Sequence, residues 1–371
     1  MLVGLGVTFG ATTVLLTRKT GNPWRNTMTE RRDYQQHIHV FRGLAIMGIV
    51  MAHTIPSLDW SQAPLTSRLI DAMVNESSVF FFFIAGYLFQ HLSARFVFRN
   101  YLRQKLLTVI LPYLILSIPA LIVFTQFTQR TGMWPWFYDL PVWEQVGLFL
   151  LTGKHLAPLW FVPTISLFYL VAPLLLWVDR RMPRLYWLII PLLVVSTWVG
   201  RDGPNGPIDK AMYLLPAYLL GMAFSHHKDR AMALVQRWWW ALLIVVAVSC
   251  AGLVFQWPVP PHYHMPMKAA ACLLLVWVLY RHHHLVGHRL NFVAEVSFGI
   301  FFIHAYFISA IKVATVYLME GSVYKGVGGD VIPGNLPMLF LYAGAALLLS
   351  TATIWVVKKM LGKHSRKLIG A

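Results

Sequence analysis

Apolar positions in this chain gather into runs of about 17–25 residues parted by short polar connections, the length a helix needs to cross about 30 Å of hydrocarbon. Runs at 39–58, 69–91, 104–125, 156–178, 184–200, 209–226, 237–257, 266–281, 292–318 and 336–357 each predict one crossing. With no internal repeat, the expected fold is all-α: a polytopic integral membrane protein of about ten transmembrane helices. Residues 1–34 are an N-terminal extension, 35–360 the membrane domain and 361–371 a basic tail. Within the extension, the apolar stretch Met1–Leu16 is followed, not preceded, by Arg18, Lys19, Arg25, Arg31 and Arg32. That order does not fit a signal peptide; it leaves a short additional membrane helix or a non-native start, with Met28 a second initiator. The longest connection, 128–155, is rich in aromatics and prolines and suits an interfacial segment or a lid.

Charge adds orientation. Alternate connections and the two ends hold 22 of the 31 Lys and Arg residues, and the opposite connections hold seven: Arg68, Arg130, Lys154, Arg201, Lys210, Lys268 and Lys325. The positive-inside rule then places both core termini in the cytoplasm. Hydrophobic residues make up 57% and charged ones 12% of the chain, half the charged share of about 25% in soluble domains. A formal charge of +17 would suit nucleic acid only as a separable basic region; here it lies in short loops, so no nucleic-acid partner is expected. Cys250 and Cys272 both fall in apolar runs, which supports neither a disulfide framework nor a thiolate metal site.

Candidate chemistry lies where ionisable groups interrupt the apolar pattern. Arg42 and His53 share one helix face to within about 20° and stand about 16 Å apart along the axis. Such groups inside a span default to function, against a snorkelling arginine and a bonded core histidine. Glu76 is expected at the depth of His53, where a carboxylate could orient an imidazole general base; the alternative pairs it with Arg68 or Lys154. Arg95, Arg99 and Arg103 recur every four residues and would form one stripe on a continuous helix, suited to phosphates or to anionic lipid headgroups. His304 falls near mid-membrane, a functional candidate or a helix–helix hydrogen bonder. Lys312 is placed to snorkel at the outer boundary. His226, His227, His262, His264, His282, His283, His284 and His288 lie at predicted connections without thiolate or acidic companions, so they read as solvated and no metal is expected.

Five elements in consistent order over about residues 35–360 resemble the acyltransferase-3 membrane family. They are Phe41-Arg42-Gly43 through His53; Phe82-Phe83-Ile84-Ala85-Gly86-Tyr87-Leu88, with Ala85 where the family often has serine; Tyr101-Leu102-Arg103-Gln104-Lys105-Leu106 leading to Pro112; Leu159-Trp160-Phe161 with Tyr169 and Pro173; and Ser297 through His304. The resemblance implies an O-acyltransferase moving an acyl group, acetyl above all, from cytoplasmic acyl-CoA to a hydroxyl of a cell-envelope polysaccharide, its precursor or a glycolipid. It implies His53 as the leading catalytic residue with Glu76 and His304 beside it. Arg42, Arg95, Arg99 and Arg103 become donor-binding residues, and Trp160 and Phe161 acceptor-side candidates. Acyl-CoA enters as a substrate, with no permanently bound cofactor, and the location implied is a bacterial-type inner membrane. A secondary transporter of a small metabolite is the rival reading; it predicts inverted repeats and interrupted helices.

Overall fold

Proline, glycine and asparagine punctuate the apolar runs into helices. In the computed structural model, residues 23–201, 206–258, 262–320 and 332–371 are described, with the side chains of 23–35, 288, 289, 320 and 363 excepted. The stretch Met1–Leu16 and Lys325 lie outside the described residues. Helices are α1 (Pro23–Thr54), α2 (Pro64–Val74), α3 (Ser78–His91), α4 (Phe98–Phe127), α5 (Val142–Thr152), α6 (Phe161–Leu170), α7 (Ala172–Arg181), α8 (Pro183–Val199), α9 (Pro207–His226), α10 (Lys228–Val254), α11 (His264–Gly287), α12 (Leu290–Met319) and α13 (Leu336–Leu361). The protein is an all-α polytopic membrane protein. Among the described residues, seven spans are long and apolar enough to cross a bilayer, and α6–α7, bent by 54°, makes an eighth if the bent pair counts as one span. The remaining two predicted runs coincide with α8 and α9.

Breaks follow local chemistry. Pro173 has no N–H to donate to Tyr169, so the run 156–178 ends one helix and starts another. Pro112 and Pro119 are accommodated in α4 by widened π-turns at Leu106–Ile110 and Val123–Phe127. Part of the connection 128–155 is helical: α5 ends at Gly153, whose φ of 68° closes it in the left-handed region. Asn335 caps α13 by accepting from the Met338 N–H at 2.8 Å.

The register of contacts sets the layout. Gly48 meets Ser77, Phe41 meets Phe80 and Phe83, and His37 meets Tyr87, so α3 runs antiparallel to α1. Helical backbone continues for 57 residues from His264 to Glu320, about 85 Å if straight. It is not straight. Tyr280 packs on His37 at 5.4 Å and Asn291 bonds Gln36 and His39, while Lys268 reaches Met73 and His304 stacks near His53. Its middle therefore lies beside the start of the α1 span and both ends toward the other end, so α11 and α12 form a hairpin. Consequently α12 runs parallel to α1.

Helices α3 and α9 approach closely. A Cβ on Gly86 would overlap the Tyr218 carbonyl, and one on Gly221 would overlap the Phe83 carbonyl. Both glycines are needed for this antiparallel contact. Around it, Phe82, Phe83, Tyr87, Leu214 and Tyr218 are buried. The basic tail packs back on the body: Ser365 is buried, and Ile369 and Ala371 contact the main core.

Candidate functional site

Two parallel helices carry the site. At the lower end of the pair, Arg42 Nε donates to the Ala294 carbonyl at 3.0 Å, and Ser297 Oγ donates to the same oxygen at 2.9 Å. His39 completes the joint: its Nε2 faces the Asn291 carbonyl at 3.2 Å, leaving Nδ1 to accept from Arg42 Nη2 at 3.3 Å. Eleven residues up α1, about 16 Å along the axis, His53 meets His304 with ring centroids 5.3 Å apart. Their α-helical repeats keep pace, so one interface brings the arginine of the first motif and the serine and histidine of the last into a single column.

The imidazoles differ in surroundings. His304 is fully buried; its Nδ1 faces the Ile300 carbonyl at 2.9 Å and is therefore the protonated nitrogen, while Nε2 has no partner. That nitrogen presents a lone pair. His53, in the last turn of α1, is partly exposed. His304 and Arg201 are the groups that act electrostatically on it.

Glu76 does not pair with His53 as the depth comparison suggests. It sits where the run 69–91 breaks, with a left-handed φ of 54°. Asn75 Oδ1 accepts the Glu76 N–H at 2.8 Å, and at the break Ser77 Oγ and Lys268 Nζ donate to the Val74 and Met73 carbonyls, each at 2.5 Å. The kink turns the carboxylate toward α9. Tyr213 donates its hydroxyl to Oε2 at 2.6 Å, and Arg201 Nε lies 4.0 Å from Oε1. Neither Arg68 nor Lys154 takes it. Glu76 therefore holds Arg201, whose charge also acts on His53.

The arginine stripe is also corrected. Arg95 belongs to a short 3-10 turn, and Phe96 and Val97 are extended before α4 starts, so Arg95 is not on one helix with Arg99 and Arg103. All three are exposed. Two cations not singled out in the sequence join Arg42 instead. Lys105 is partly buried over the rings of Tyr101 and Tyr169 at 5.4 and 5.0 Å, and Arg366 from the tail acts electrostatically on both Arg42 and Lys105. Lys105 could be suspected from its place just before the Pro112 break. Nothing in the sequence places Arg366.

Phe161 connects the column to the loops: its ring lies 5.0 Å from Phe82, 5.1 Å from Phe301 and 6.3 Å from Trp160. Arg201 and Lys210 both lie over Trp160, at 5.1 and 5.3 Å. Lys154, in the connection before α6, lies 4.1 Å over Trp134, and partial burial pushes its ammonium pKa down. On the opposite side, His226 is only partly exposed and is paired; Asp179 Oδ1 binds its Nδ1 at 2.7 Å and the Tyr186 hydroxyl at 2.5 Å.

This arrangement provides an unpartnered imidazole nitrogen, a second, accessible imidazole and a fixed guanidinium at one end of a helix pair. A cationic mouth lies at the other. A family model described as an acyltransferase domain matches residues 36–356 of the chain. No curated protein and no solved structure matches it.

Proposed function

The chain belongs to the acyltransferase-3 family and is a multi-pass membrane acyltransferase, and on that premise we propose that it carries an acyl group, acetyl being the expected one, from cytoplasmic acyl-CoA to a hydroxyl of a cell-envelope polysaccharide, its precursor or a glycolipid. The observation that supports this reading most is the column itself, with Arg42 at one end and His53 with His304 at the other. The pantetheine arm of CoA has about 12 bonds between its phosphate oxygen and its sulfur. At a projected advance of about 1.25 Å each, it extends about 15 Å, which matches the separation along α1. Phosphates held at Arg42, Lys105 and Arg366 would leave the thioester beside the histidines.

In the proposed reaction His53 accepts the proton of the acceptor hydroxyl as its oxygen attacks the thioester carbonyl. The C–S bond then breaks, the acyl C–O bond remains, and the departing thiolate takes the proton back from His53. Arg201 places positive charge near the oxygen that becomes negative during attack. His304, its Nδ1 committed to Ile300, offers Nε2 to the acceptor or to His53. Interrupted spans at Glu76 and Val171 would serve a transporter as well as an enzyme, and the family decides for the enzyme.

The test is transfer of labelled acetyl from acetyl-CoA to isolated envelope glycans by the purified protein, with mass spectrometry of the same glycans from cells with and without it. A glycan-bound acetyl that requires both donor and protein is expected. Its absence across polysaccharide, precursor and glycolipid fractions overturns the reading.

A further inference from the structure

Two of the seven positive charges assigned to the outer side of the membrane converge on one indole, and a third, Lys154, follows Gly153, which packs against the backbone of the same tryptophan. Arg201 and Lys210 share the Trp160 ring at 5.1 and 5.3 Å, and both Arg201 and Lys154 act electrostatically on Lys210. Arg130 joins them by donating from Nε to the Lys154 carbonyl at 3.3 Å. Topology does not explain this. The positive-inside bias depletes cations on this side, and cations free to spread would separate.

The carboxylates among the described residues do not neutralise the group. Glu76 lies 4.0 Å from Arg201 but is shared with the Tyr213 hydroxyl. Asp209, which also acts on Lys210, is exposed and accepts the Gly206 N–H at 3.0 Å. Among the described residues, two carboxylates thus face four cations. Trp160, Arg201, Lys154 and Lys210 are each only partly buried, so a ligand can reach them.

The cluster borders the histidines. Arg201 acts on both Lys210 and His53, and the rings of Trp160, Phe161, Phe301 and His304 follow one another at 6.3, 5.1 and 6.4 Å. One continuous series of rings thus links the cluster to the histidine pair.

We propose that this cluster is an acceptor subsite for an anion, so that the acceptor is an acidic glycan whose carboxylate or phosphate sits between Arg201, Lys210 and Lys154 while a nearby hydroxyl meets His53. The inference rests on the acyl-transfer reading for the word acceptor; the binding itself needs no donor and is measured separately.

The protein is placed in nanodiscs of phosphatidylcholine alone, which removes anionic lipid as a competitor, and titrated with trigalacturonate or its methyl ester by calorimetry. Glucose 1-phosphate against glucose forms the phosphate arm. At least one acid is expected to bind about 10-fold or more tighter than its neutral partner, as one charge-assisted contact gives. The gap should shrink with added salt. It should close in the Arg201→Gln/Lys210→Gln double variant, largely persist in Arg201→Lys and Lys210→Arg, and be unaffected by Arg68→Gln, an exposed outer cation away from the cluster. Neutral and acidic partners binding alike or not at all in both arms, or an acid preference that survives the double variant, overturns the subsite. Tight acid binding without acetyl transfer would instead count against the reaction and leave the subsite standing.

Discussion

His53 and Arg42 are visible in sequence because ionisable groups are rare in apolar helices, and the same rarity marks His304. What the sequence could not supply is the partner of each. Arg42 bonds a carbonyl 252 residues away, and periodicity along one helix says nothing about which other helix lies against it. Depth comparison fixes one coordinate of three: it sets Glu76 against His53, but the 54° φ of that residue turns the carboxylate to Tyr213 and Arg201. His53→Gln should lower turnover by about 10²–10⁴-fold, the range of a lost general base, with normal yield and acyl-CoA binding. Wild-type turnover in this variant would transfer the base role to His304. Arg42→Ala should weaken acyl-CoA binding by about 10- to 150-fold, equivalent to about 1.5–3 kcal/mol. Arg42→Lys should not restore it, because a lysine lacks the fork that bonds Ala294 with one nitrogen and leaves others for phosphate. Donor binding measured by calorimetry on both variants decides the point.

At the scale of elements, hydropathy located the long runs well because each needs about 20 apolar residues whatever its neighbours. Shorter features escaped. Helix α5 has 11 residues, too few for a span, and its apolar side chains pass for loop aromatics. Arg95 was misplaced because Phe96 and Val97 are extended, a break that no proline or glycine announces. Gly86 was quoted within a motif without a reason for being glycine; its reason is the backbone of α9. Gly86→Ala forces a methyl into the Tyr218 carbonyl, and since both helices are held by buried aromatic rings, neither moves freely. Overpacking of this kind costs about 1–3 kcal/mol. The variant should show a lower melting temperature in detergent and less monodisperse protein, whereas Gly147→Ala, at an open position of α5, should match the parent. Equal melting of the two variants would mean that α3 and α9 are less closely apposed.

For the whole molecule, the charge asymmetry orients the α1–α12 column, with Arg42 toward the cytoplasm and His53 toward the outside. That direction is what would let the proposed cytoplasmic donor and external acceptor meet in one protein, so the proposed reaction depends on it. Labelling can test it, provided the structure chooses the positions. Ser365 would be a poor reporter, because it is buried under the folded tail and would resist reagent from either side. Lys367 is exposed on the same tail, and Arg68 is exposed on α2 near the other face. With Cys250 and Cys272 replaced by serine, a cysteine at 68 should react with a membrane-impermeant maleimide in intact cells. A cysteine at 367 should react only after permeabilisation. Labelling of both positions in intact cells would put the tail outside and require an even number of crossings between them. Labelling of position 367 alone would invert the column, placing His53 and the Arg201 cluster in the cytoplasm and the Arg42 mouth outside, where no acyl-CoA could reach it.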